Sequence, residues 1–256
     1  MKSWSNVKAV IVDLDRTLLN TDKKLSAYTE KILHTCKKRG IRIIIATARP
    51  YRSAEQYFDA ISADAIVVSN GARIICGKRQ MDNSICRENA VQLLRNLREY
   101  SSLLVTLETG EVAYSNRVVE DYETIITEDL AAIAQTKPAL KILVRLDSEN
   151  TLRIVEKHLP DDLYYSISNA HLIQIMNKAA TKWNGIKTLL AFYQCTAAET
   201  AYFGDDHDDL EPIRMCGLGI AVSNAIDEAK AVADYITDSN DNDGVARAVE
   251  KFILNP

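Results

Sequence analysis

Three short, uninterrupted apolar segments in the first third of the chain constrain its fold more than any other feature. They are VKAVIV (7–12), IRIIIAT (41–47) and ADAIVVSNGA (63–72), the last of which ends in a turn. Strands without polar alternation are typical of parallel sheets, in which helices cover both faces. Helical patterns fill the two intervals, over residues 26–40 and 53–61. This strand–helix–strand–helix–strand order predicts right-handed crossovers and a doubly wound parallel sheet.

The two predicted helices have recognisable ends. Ser26 is a favourable N-cap for the first helix, which finishes in basic residues followed by Gly40. The second helix is predicted to begin at Ser53, which forms a capping-box pattern with Gln56. Both segments therefore suit crossover connections between neighbouring parallel strands.

The same alternation returns near the C-terminus, after a long interruption. It comprises a helix over 181–195, strands over 200–205, 218–225 and 235–237, and a closing helix over 243–254, with the strand at 218–225 running into an Asn-capped helix. Between about 80 and 179 the only glycine is Gly110, and patterns such as LKILVRLD alternate as half-buried antiparallel strands do. We therefore predict an α/β protein in which a Rossmann-like core, formed by residues 1–80 and 180–256, is interrupted by an inserted α+β domain over 81–179.

Composition excludes several classes of protein. A formal net charge of -4 without a basic patch argues against a nucleic-acid partner. The longest apolar runs are too short to cross a bilayer, and the N-terminus lacks the features of a secretory signal. Five scattered cysteines without a CxxC pair indicate reduced thiols. We expect a cytoplasmic protein, either a monomer or a weak homo-oligomer, with no membrane partner.

Polar clusters mark the ends of the predicted strands. They are Asp13 with Asp15, Thr47 with Arg49, Lys182 at the start of a helix, and GDDHDD (204–209). Ligands of open parallel sheets bind at the carboxyl ends of the strands, so these clusters are expected to converge on one crevice. Each cluster alone is a weak signal, whereas their joint occurrence in this order indicates a functional site.

In this combination the chain resembles the haloacid dehalogenase superfamily of phosphotransferases. DLDRTLL matches its first motif, DxDxT, and IATAR resembles the second, while Lys182 matches the third and GDDHDDLE the fourth, GDxxND. VVSNGARI, GLGIAVSNA and DSNDNDGVA are further similar to the Cof-like branch, which inserts a large C2-type cap between the second and third motifs. Two positions depart from the pattern, since Arg16 replaces a usual Gly and Asp208 a usual Asn.

The resemblance implies roles for the matched residues in phosphoryl transfer. Asp13 is the expected nucleophile, which forms an aspartyl-phosphate that water then hydrolyses. Asp15 is the expected acid and base for the leaving group and for that water. Thr47 and Lys182 are expected to bind the phosphoryl oxygens. The Cof-like resemblance adds Asn70 and Asn224 as further residues for positioning phosphate or the lysine.

A magnesium ion is the implied cofactor. The family pattern places it on Asp13, on the backbone carbonyl of Asp15 and on Asp205, while Asp209 holds metal-bound waters or the lysine. The chemistry of the residues supports this independently, because carboxylates that converge on one crevice repel each other without a cation. A hard divalent ion such as Mg²⁺ prefers oxygen ligands.

The function that these residues imply is a Mg²⁺-dependent phosphomonoesterase. Its substrate is expected to be a small phosphorylated metabolite, either a sugar phosphate or a phosphorylated cofactor, enclosed by the inserted cap. Two alternatives stay open. A phosphomutase shares the aspartyl-phosphate, and a non-catalytic module that binds phosphorylated metabolites retains the fold.

Several charged residues near the motifs admit more than one role. Arg49 either clamps substrate or pairs with a core acid, and these roles are equally favoured. Arg16 either fits a regular backbone conformation or points outward, and Arg16→Gly is expected to retain activity within about tenfold. His207 is expected to face solvent and Asp206 to stabilise a helix start. We interpret three further arginines as solvated surface charges: Arg73, Arg87 and Arg145.

Overall fold

The computed structural model describes residues 6–168 and 170–255. In chain order its strands are β1 (Ala9–Val12), β2 (Arg42–Ala46), β3 (Ala65–Val68), β4 (Arg73–Cys76), β5 (Arg79–Asp82), β6 (Val105–Glu108), β7 (Ala113–Ser115), β8 (Ile125–Ile126), β9 (Lys141–Arg145), β10 (Leu163–Ser168), β11 (Leu172–Asn177), β12 (Thr200–Gly204), β13 (Leu218–Val222) and β14 (Tyr235–Thr237). Its α-helices are α1 (Ala27–Lys38), α2 (Tyr51–Ala60), α3 (Arg87–Arg98), α4 (Leu130–Thr136), α5 (Glu149–His158), α6 (Lys182–Phe192), α7 (Leu210–Met215), α8 (Asp227–Val232) and α9 (Gly244–Val249).

The chain divides into two compact units. One contains residues 1–49, 53–81 and 181–256, and the other contains residues 50–52 and 82–180. The first unit is therefore assembled from both ends of the sequence, and most of the second is a continuous stretch between them.

The first unit is built on a largely parallel sheet. Over the described residues its strand order is β14-β13-β12-β1-β2-β3-β4-β5, and the strands from β14 to β3 run parallel. The strand β4 is antiparallel to β3 at one side of the sheet. All residues of β1 and β3 are buried, as expected for strands covered on both faces. The predicted α/β class with a Rossmann-like parallel sheet is confirmed.

For three helices of this unit the sequence predicts a particular residue at the start, and the structure agrees in one case and differs in two. Ser26 caps α1 by accepting a hydrogen bond from the amide of Thr29 at 3.0 Å, as predicted. The prediction that Ser53 begins α2 is wrong, because α2 starts at Tyr51, directly after Pro50. Proline fits the first turn of a helix, where no amide donor is required. The predicted Asn cap is also wrong, because α8 begins beyond VSN, after Ile226.

The second unit has an α+β arrangement. Its described strands form a sheet of order β10-β11-β9-β6-β7-β8, in which the pairs from β10 to β7 are antiparallel and β8 is parallel to β7. Alternate strand residues, among them Leu107, Ile142 and Ile173, share one apolar cluster with residues of α3, α4 and α5. The intervening residues Thr106 and Glu108 fall on the other face, because successive strand residues point to opposite sides. The helices therefore cover one face of this sheet.

Two general properties of the described residues bear on the expectations from composition. All five cysteines have free thiols, and four of them are buried. None of the helices in the described ranges has both the length and the apolar character needed to cross a lipid bilayer.

Candidate active site

The carboxyl ends of β1, β2 and β12 lie side by side because β1 pairs in parallel with both neighbours. Val12, the last residue of β1, is level with Ile45 of β2 and with Phe203 of β12. The chain leaves β1 at Asp13, whose amide donates to the carbonyl of Phe203 at 3.0 Å. Residues that follow these strands consequently meet at one edge of the sheet, where open α/β folds bind their ligands.

Lys182 lies among three carboxylates at this edge of the sheet. Its Nζ lies 2.8 Å from Asp13 Oδ1, 2.7 Å from Asp209 Oδ1 and 3.1 Å from Asp208 Oδ1, and only 2% of its side chain is exposed. Burial alone would lower the pKa of an ammonium group, but these three carboxylates outweigh burial and raise the pKa of Lys182 well above its ordinary value. The lysine is therefore charged. It connects the first motif, through Asp13, with the fourth motif, through Asp208 and Asp209.

Lys182 reaches this position because the start of α6 packs directly on the turn that follows β3. Gly71 in this turn has a φ of +92°, and a Cβ atom on it would lie 2.1 Å from the carbonyl oxygen of Thr181. Thr181 in turn caps α6 by accepting a hydrogen bond from the amide of Asn184 at 3.1 Å. Only glycine permits so close an approach of the turn to the helix that begins with Lys182.

Both oxygens of Asp209 are occupied by hydrogen-bond donors of the protein. Oδ2 accepts from the amides of Asp205 at 2.9 Å and Asp206 at 3.1 Å. Oδ1 accepts from Lys182 and from the hydroxyl of Tyr202. Four donors on one carboxylate fix both the acidic loop and the lysine. Of the two roles predicted for Asp209, this arrangement favours holding the lysine.

Asp205 has one occupied and one open oxygen. Its Oδ1 accepts from the hydroxyl of Thr17 at 2.8 Å, which accounts for the threonine of the DxDxT pattern. Its Oδ2 accepts no hydrogen bond from the described residues and lies 3.9 Å from Nε of Arg16. Burial, followed by the charge of Asp209, raises the pKa of Asp205 to about 7. Arg16 has a φ of 59°, so the alternative that it fits a regular backbone conformation is excluded.

Arg49 pairs with Asp15. The guanidinium donates from Nε to Oδ2 and from Nη2 to Oδ1, both at 2.6 Å. It also donates to the carbonyl of Ser53 at 3.3 Å, and its Cζ lies 5.2 Å from the centre of the Tyr57 ring. Of the two roles left open by the sequence, the structure shows the pairing with an acid. Such a bidentate pair fixes the orientation of the carboxylate.

Thr47 lies beside two buried polar groups without a partner. Its side-chain oxygen accepts from the amide of Arg49 at 3.2 Å, and its carbonyl accepts from the amide of Asn70 at 3.1 Å. In the part of the chain that the structure describes, Ser69 Oγ and Asn70 Oδ1 are buried and have no hydrogen-bond partner. Since such groups are costly unless satisfied, they fit a polar ligand. Asn70 is among the residues predicted from sequence, whereas Ser69 is missed, although it directly precedes Asn70 at the same strand end.

The donor set at this edge fits a divalent metal ion. Carboxylate oxygens of Asp13, Asp205 and Asp209 lie within 4.8 Å of one another, and all three residues are buried. Three carboxylates, those of Asp13, Asp208 and Asp209, contact the single buried ammonium group of Lys182, and Asp205 adds a fourth carboxylate to the cluster. Burial raises the pKa of Asp13 well above its ordinary value. The charge of Lys182 opposes this rise, and the neighbouring carboxylates add to it. A hard cation with oxygen ligands removes this excess of negative charge.

Asn224 lies at the turn that contains Arg16. Its Nδ2 donates to the carbonyl of Arg16 at 2.7 Å, and its Oδ1 accepts from the amide of Asn240 at 2.9 Å. These contacts hold the backbone of the first motif. A role for Asn224 in binding phosphate stays a prediction.

The remaining charged residues of the sequence analysis have distinct positions. His207 is exposed, and Asp206 accepts a hydrogen bond from the amide of His207 at 2.7 Å, as a residue at a helix start does. Arg87 and Arg145 are exposed. The interpretation of Arg73 as a solvated charge is wrong, because Arg73 lies in β4 and is 5% exposed. The stem of a long arginine side chain is compatible with such burial when its head group has partners.

Comparison with known proteins identifies the family. Residues 10–249 match the haloacid dehalogenase-like hydrolases. The chain is 26% identical over 269 residues to YxeH of Bacillus subtilis, covering 96% of this chain and 98% of that protein. It is also 26% identical over 273 residues to the 5-amino-6-(5-phospho-D-ribitylamino)uracil phosphatase YitU of Bacillus subtilis, covering 95% and 96% respectively.

A solved structure supports the same assignment. A haloacid dehalogenase-like hydrolase from Bacteroides thetaiotaomicron superposes with a TM-score of 0.86 at 26% identity, over 96% of this chain and 99% of that one. The family match spans the strand ends that carry Asp13, Thr47 and Asp205, and the helix start that carries Lys182. The chain therefore belongs to the haloacid dehalogenase-like hydrolases.

Proposed function

We propose that this chain is a Mg²⁺-dependent phosphatase that hydrolyses a small phosphorylated metabolite through a phosphorylated Asp13. The observation that carries the proposal is the contact of Lys182 with Asp13, Asp208 and Asp209 at the edge where β1 and β12 end. The predicted enzyme class, a hydrolase of phosphate monoesters, agrees with the family and with a relative named as a phosphatase.

Asp13 is the proposed nucleophile. Lys182 donates to Oδ1 of Asp13, whereas Oδ2 of Asp13 accepts no hydrogen bond from the described residues. One carboxylate oxygen attacks phosphorus, and the bond between phosphorus and the ester oxygen breaks. Asp13, the backbone carbonyl of Asp15 and Asp205 would hold Mg²⁺, which would supply positive charge to offset the carboxylates and the phosphate. The ammonium group of Lys182 keeps the nucleophile in place and neutralises charge on the transferred group.

Asp15 is the proposed acid and base. It gives a proton to the departing ester oxygen and takes one from the water that later attacks the aspartyl-phosphate. Arg49 donates to both oxygens of this carboxylate in the structure. When Asp15 carries its proton, the guanidinium therefore has to release at least one of the two oxygens.

Thr47, Ser69 and Asn70 are the proposed binding groups for the phosphoryl oxygens, with Lys182. The hydroxyl of Ser69 is buried without a partner among the described residues and supports this role, whereas Oδ1 of Asn70 is an acceptor, so Asn70 can serve here only through its side-chain nitrogen. A hydroxyl or an amide nitrogen donates to a phosphoryl oxygen, which places fixed dipoles where negative charge is held during transfer.

The proposed substrate class is that of sugar phosphates and phosphorylated cofactors. It rests on the motifs and on the relative named for a phosphorylated ribityl compound, at 26% identity. We further propose that the enzyme works in the cytoplasm, which its five free thiols support.

The replacement Asp13→Asn tests the proposal. We expect phosphate release from p-nitrophenyl phosphate to fall by at least about a thousandfold, because the amide is a poor nucleophile. Asp227→Asn is the matched control, since Asp227 is fully exposed in α8 and should leave the rate unchanged. Substantial activity of Asp13→Asn, with the control also active, would contradict the assignment of the nucleophile.

A substrate panel separates hydrolysis from the phosphomutase alternative. Sugar phosphates, nucleotides and phosphorylated cofactors are incubated with and without Mg²⁺, and inorganic phosphate is measured beside isomerised product. We expect phosphate release that requires Mg²⁺. Isomerisation without release of phosphate would show a mutase instead.

A further inference from the structure

Arg16 has an unusual backbone conformation that its neighbours fix. Its φ of 59° and ψ of 6° fall in the left-handed region, which disfavours residues with a side chain. Its carbonyl accepts from Asn224 Nδ2 at 2.7 Å, and Asn224 is held in turn by the amide of Asn240. The side chain of Asn240 donates to the carbonyl of Leu19 at 3.0 Å, at the end of the same turn. The direction in which the Arg16 side chain leaves the backbone is therefore set by the fold.

The side chain directs a permanent positive charge toward Asp205. Nη2 donates to the carbonyl of Asn224 at 3.2 Å, and Nε lies 3.9 Å from Asp205 Oδ2. This is the oxygen of Asp205 that accepts no hydrogen bond from the described residues, whereas Oδ1 is occupied by Thr17. Asp205 is 3% exposed, but 64% of the Arg16 side chain is exposed, so the charge acts from the solvent side.

We propose that Arg16 lowers the Mg²⁺ affinity of the acidic centre, which comprises Asp13, Asp205 and the backbone carbonyl of Asp15. The inference rests on the proposed function, in which Asp205 holds the metal. The guanidinium group of Arg16, near the open oxygen of Asp205, repels Mg²⁺. It also offsets part of the negative charge that would attract Mg²⁺. A glycine at this position, as in the family pattern, carries neither effect. The chain therefore requires a higher Mg²⁺ concentration for occupancy than the same centre would require with a neutral residue.

Isothermal titration of the full-length, EDTA-treated protein with MgCl₂ tests this inference. Arg16→Gln removes the charge but keeps a side chain at the left-handed position, Arg16→Gly also removes the strain, and Arg16→Lys keeps the charge. We expect the Mg²⁺ Kd of the Gln and Gly variants to fall by about threefold to tenfold at low salt. The Lys variant should stay within about twofold of the parent, and the difference for Gln should shrink in about 0.5 M KCl, because salt screens exposed charges.

Lys8→Gln is the matched control for a change in net charge. Lys8 precedes β1 and pairs with Glu199 before β12, so it lies at the opposite end of these strands. Its replacement should leave the Mg²⁺ Kd unchanged within about twofold, since the interaction between two charges weakens with their separation and Lys8 lies the whole length of β1 away from Asp13.

Two negative results have different meanings. If the parent protein binds Mg²⁺ and Arg16→Gln binds it equally or more weakly, the role of Arg16 is overturned and the proposed function stands. If the parent binds no Mg²⁺ at all, the proposed metal-dependent function is overturned together with this inference.

Discussion

At the scale of single residues, two neighbouring acids of the fourth motif contact Lys182 in different ways. Asp209 is fully buried, and its two oxygens accept from four donors. Asp208 stands where the family pattern has Asn, is 32% exposed on its side chain, and makes the longest of the three contacts to Lys182, at 3.1 Å. Asp208 thus adds a carboxylate to a lysine that already has two.

This difference predicts a small effect on activity for Asp208→Asn and a large one for Asp209→Asn. Asp208→Asn should keep kcat/KM within about tenfold, because its amide oxygen can still accept from Lys182. Asp209→Asn should lower kcat/KM by at least about a hundredfold, because its NH₂ group would face donors where an acceptor is needed. Steady-state assays with p-nitrophenyl phosphate at saturating Mg²⁺ measure both. Equal losses in the two variants would contradict the distinction.

The identities of the central residues were accessible from sequence, but their partners were not. Asp13, Thr47, Lys182 and Asp205 follow from their order and from their positions at predicted strand ends and a helix start. The pair Arg49–Asp15 could not be chosen over a substrate clamp, since the two residues are distant in sequence and a pattern gives no contact. Ser69 was missed because a serine in a turn is common, and only its burial without a partner distinguishes it.

At the scale of elements, the position of α6 depends on the turn after β3. Gly71 has two constraints, a φ of +92° and the close approach of Thr181. Gly40, after α1, has a similar φ of +77°, but a Cβ atom added to it would have no other atom within 4 Å. The two glycines therefore separate the cost of backbone strain from the cost of a collision.

We expect Gly71→Ala to be much more harmful than Gly40→Ala. Gly40→Ala should lower the free energy of unfolding by about 1 kcal/mol, the usual cost of a left-handed non-glycine residue. Gly71→Ala should cost about 3 kcal/mol or more and also reduce kcat, because α6 has to move and carries Lys182 with it. Urea denaturation and steady-state kinetics measure the two effects. Equal stability of the two variants would show that the turn and α6 are not rigidly packed.

Elements of the parallel sheet were predictable because their strands are continuous apolar runs. The strand β14 has the predicted bounds, and β1, β2, β3, β12 and β13 lie within the predicted segments. The strands β4 and β5 were not predicted, since four-residue strands that each begin with arginine show no clear periodicity. The α2 start was misplaced because Pro50 fits a helix entry better than the capping pattern at Ser53.

At the scale of the whole molecule, the buried carboxylates make stability depend on pH. The pKa of Asp205 rises from 3.8 to about 7 in the folded chain, mainly through burial, and the pKa values of Asp13 and Asp208 are raised in the same direction, also mainly by burial. Between the two pKa values of Asp205 the folded state holds a proton that the unfolded chain has lost. The contribution of Asp205 to stability therefore declines as the pH rises from near 4 to near 7.

We expect the Tm of the metal-free protein to fall between about pH 5 and about pH 7.5. The fall should be steeper than that of the Asp205→Asn variant, whose amide does not titrate. Excess Mg²⁺ should reduce this loss in the parent, since the cation favours the ionised carboxylates, and its stabilising effect should grow with pH. Thermal unfolding in EDTA and in MgCl₂ measures both effects. Parallel pH profiles for the parent and the variant would contradict the role of Asp205.

The pairing of β1 with β12 has a consequence for the synthesis of the chain. Strand β1 (Ala9–Val12) leaves the ribosome well before β12 (Thr200–Gly204), so the edge of β1 that pairs with β12 stays unpaired while the residues between them are made. The strands of the second unit pair with one another within 82–180 and can begin to fold as soon as they emerge. A polypeptide released before residue 200 exposes apolar strand edges, which favour aggregation, and lacks Asp205 and Asp209. The proposed active site thus cannot form before β12 and the residues that follow it have been synthesised.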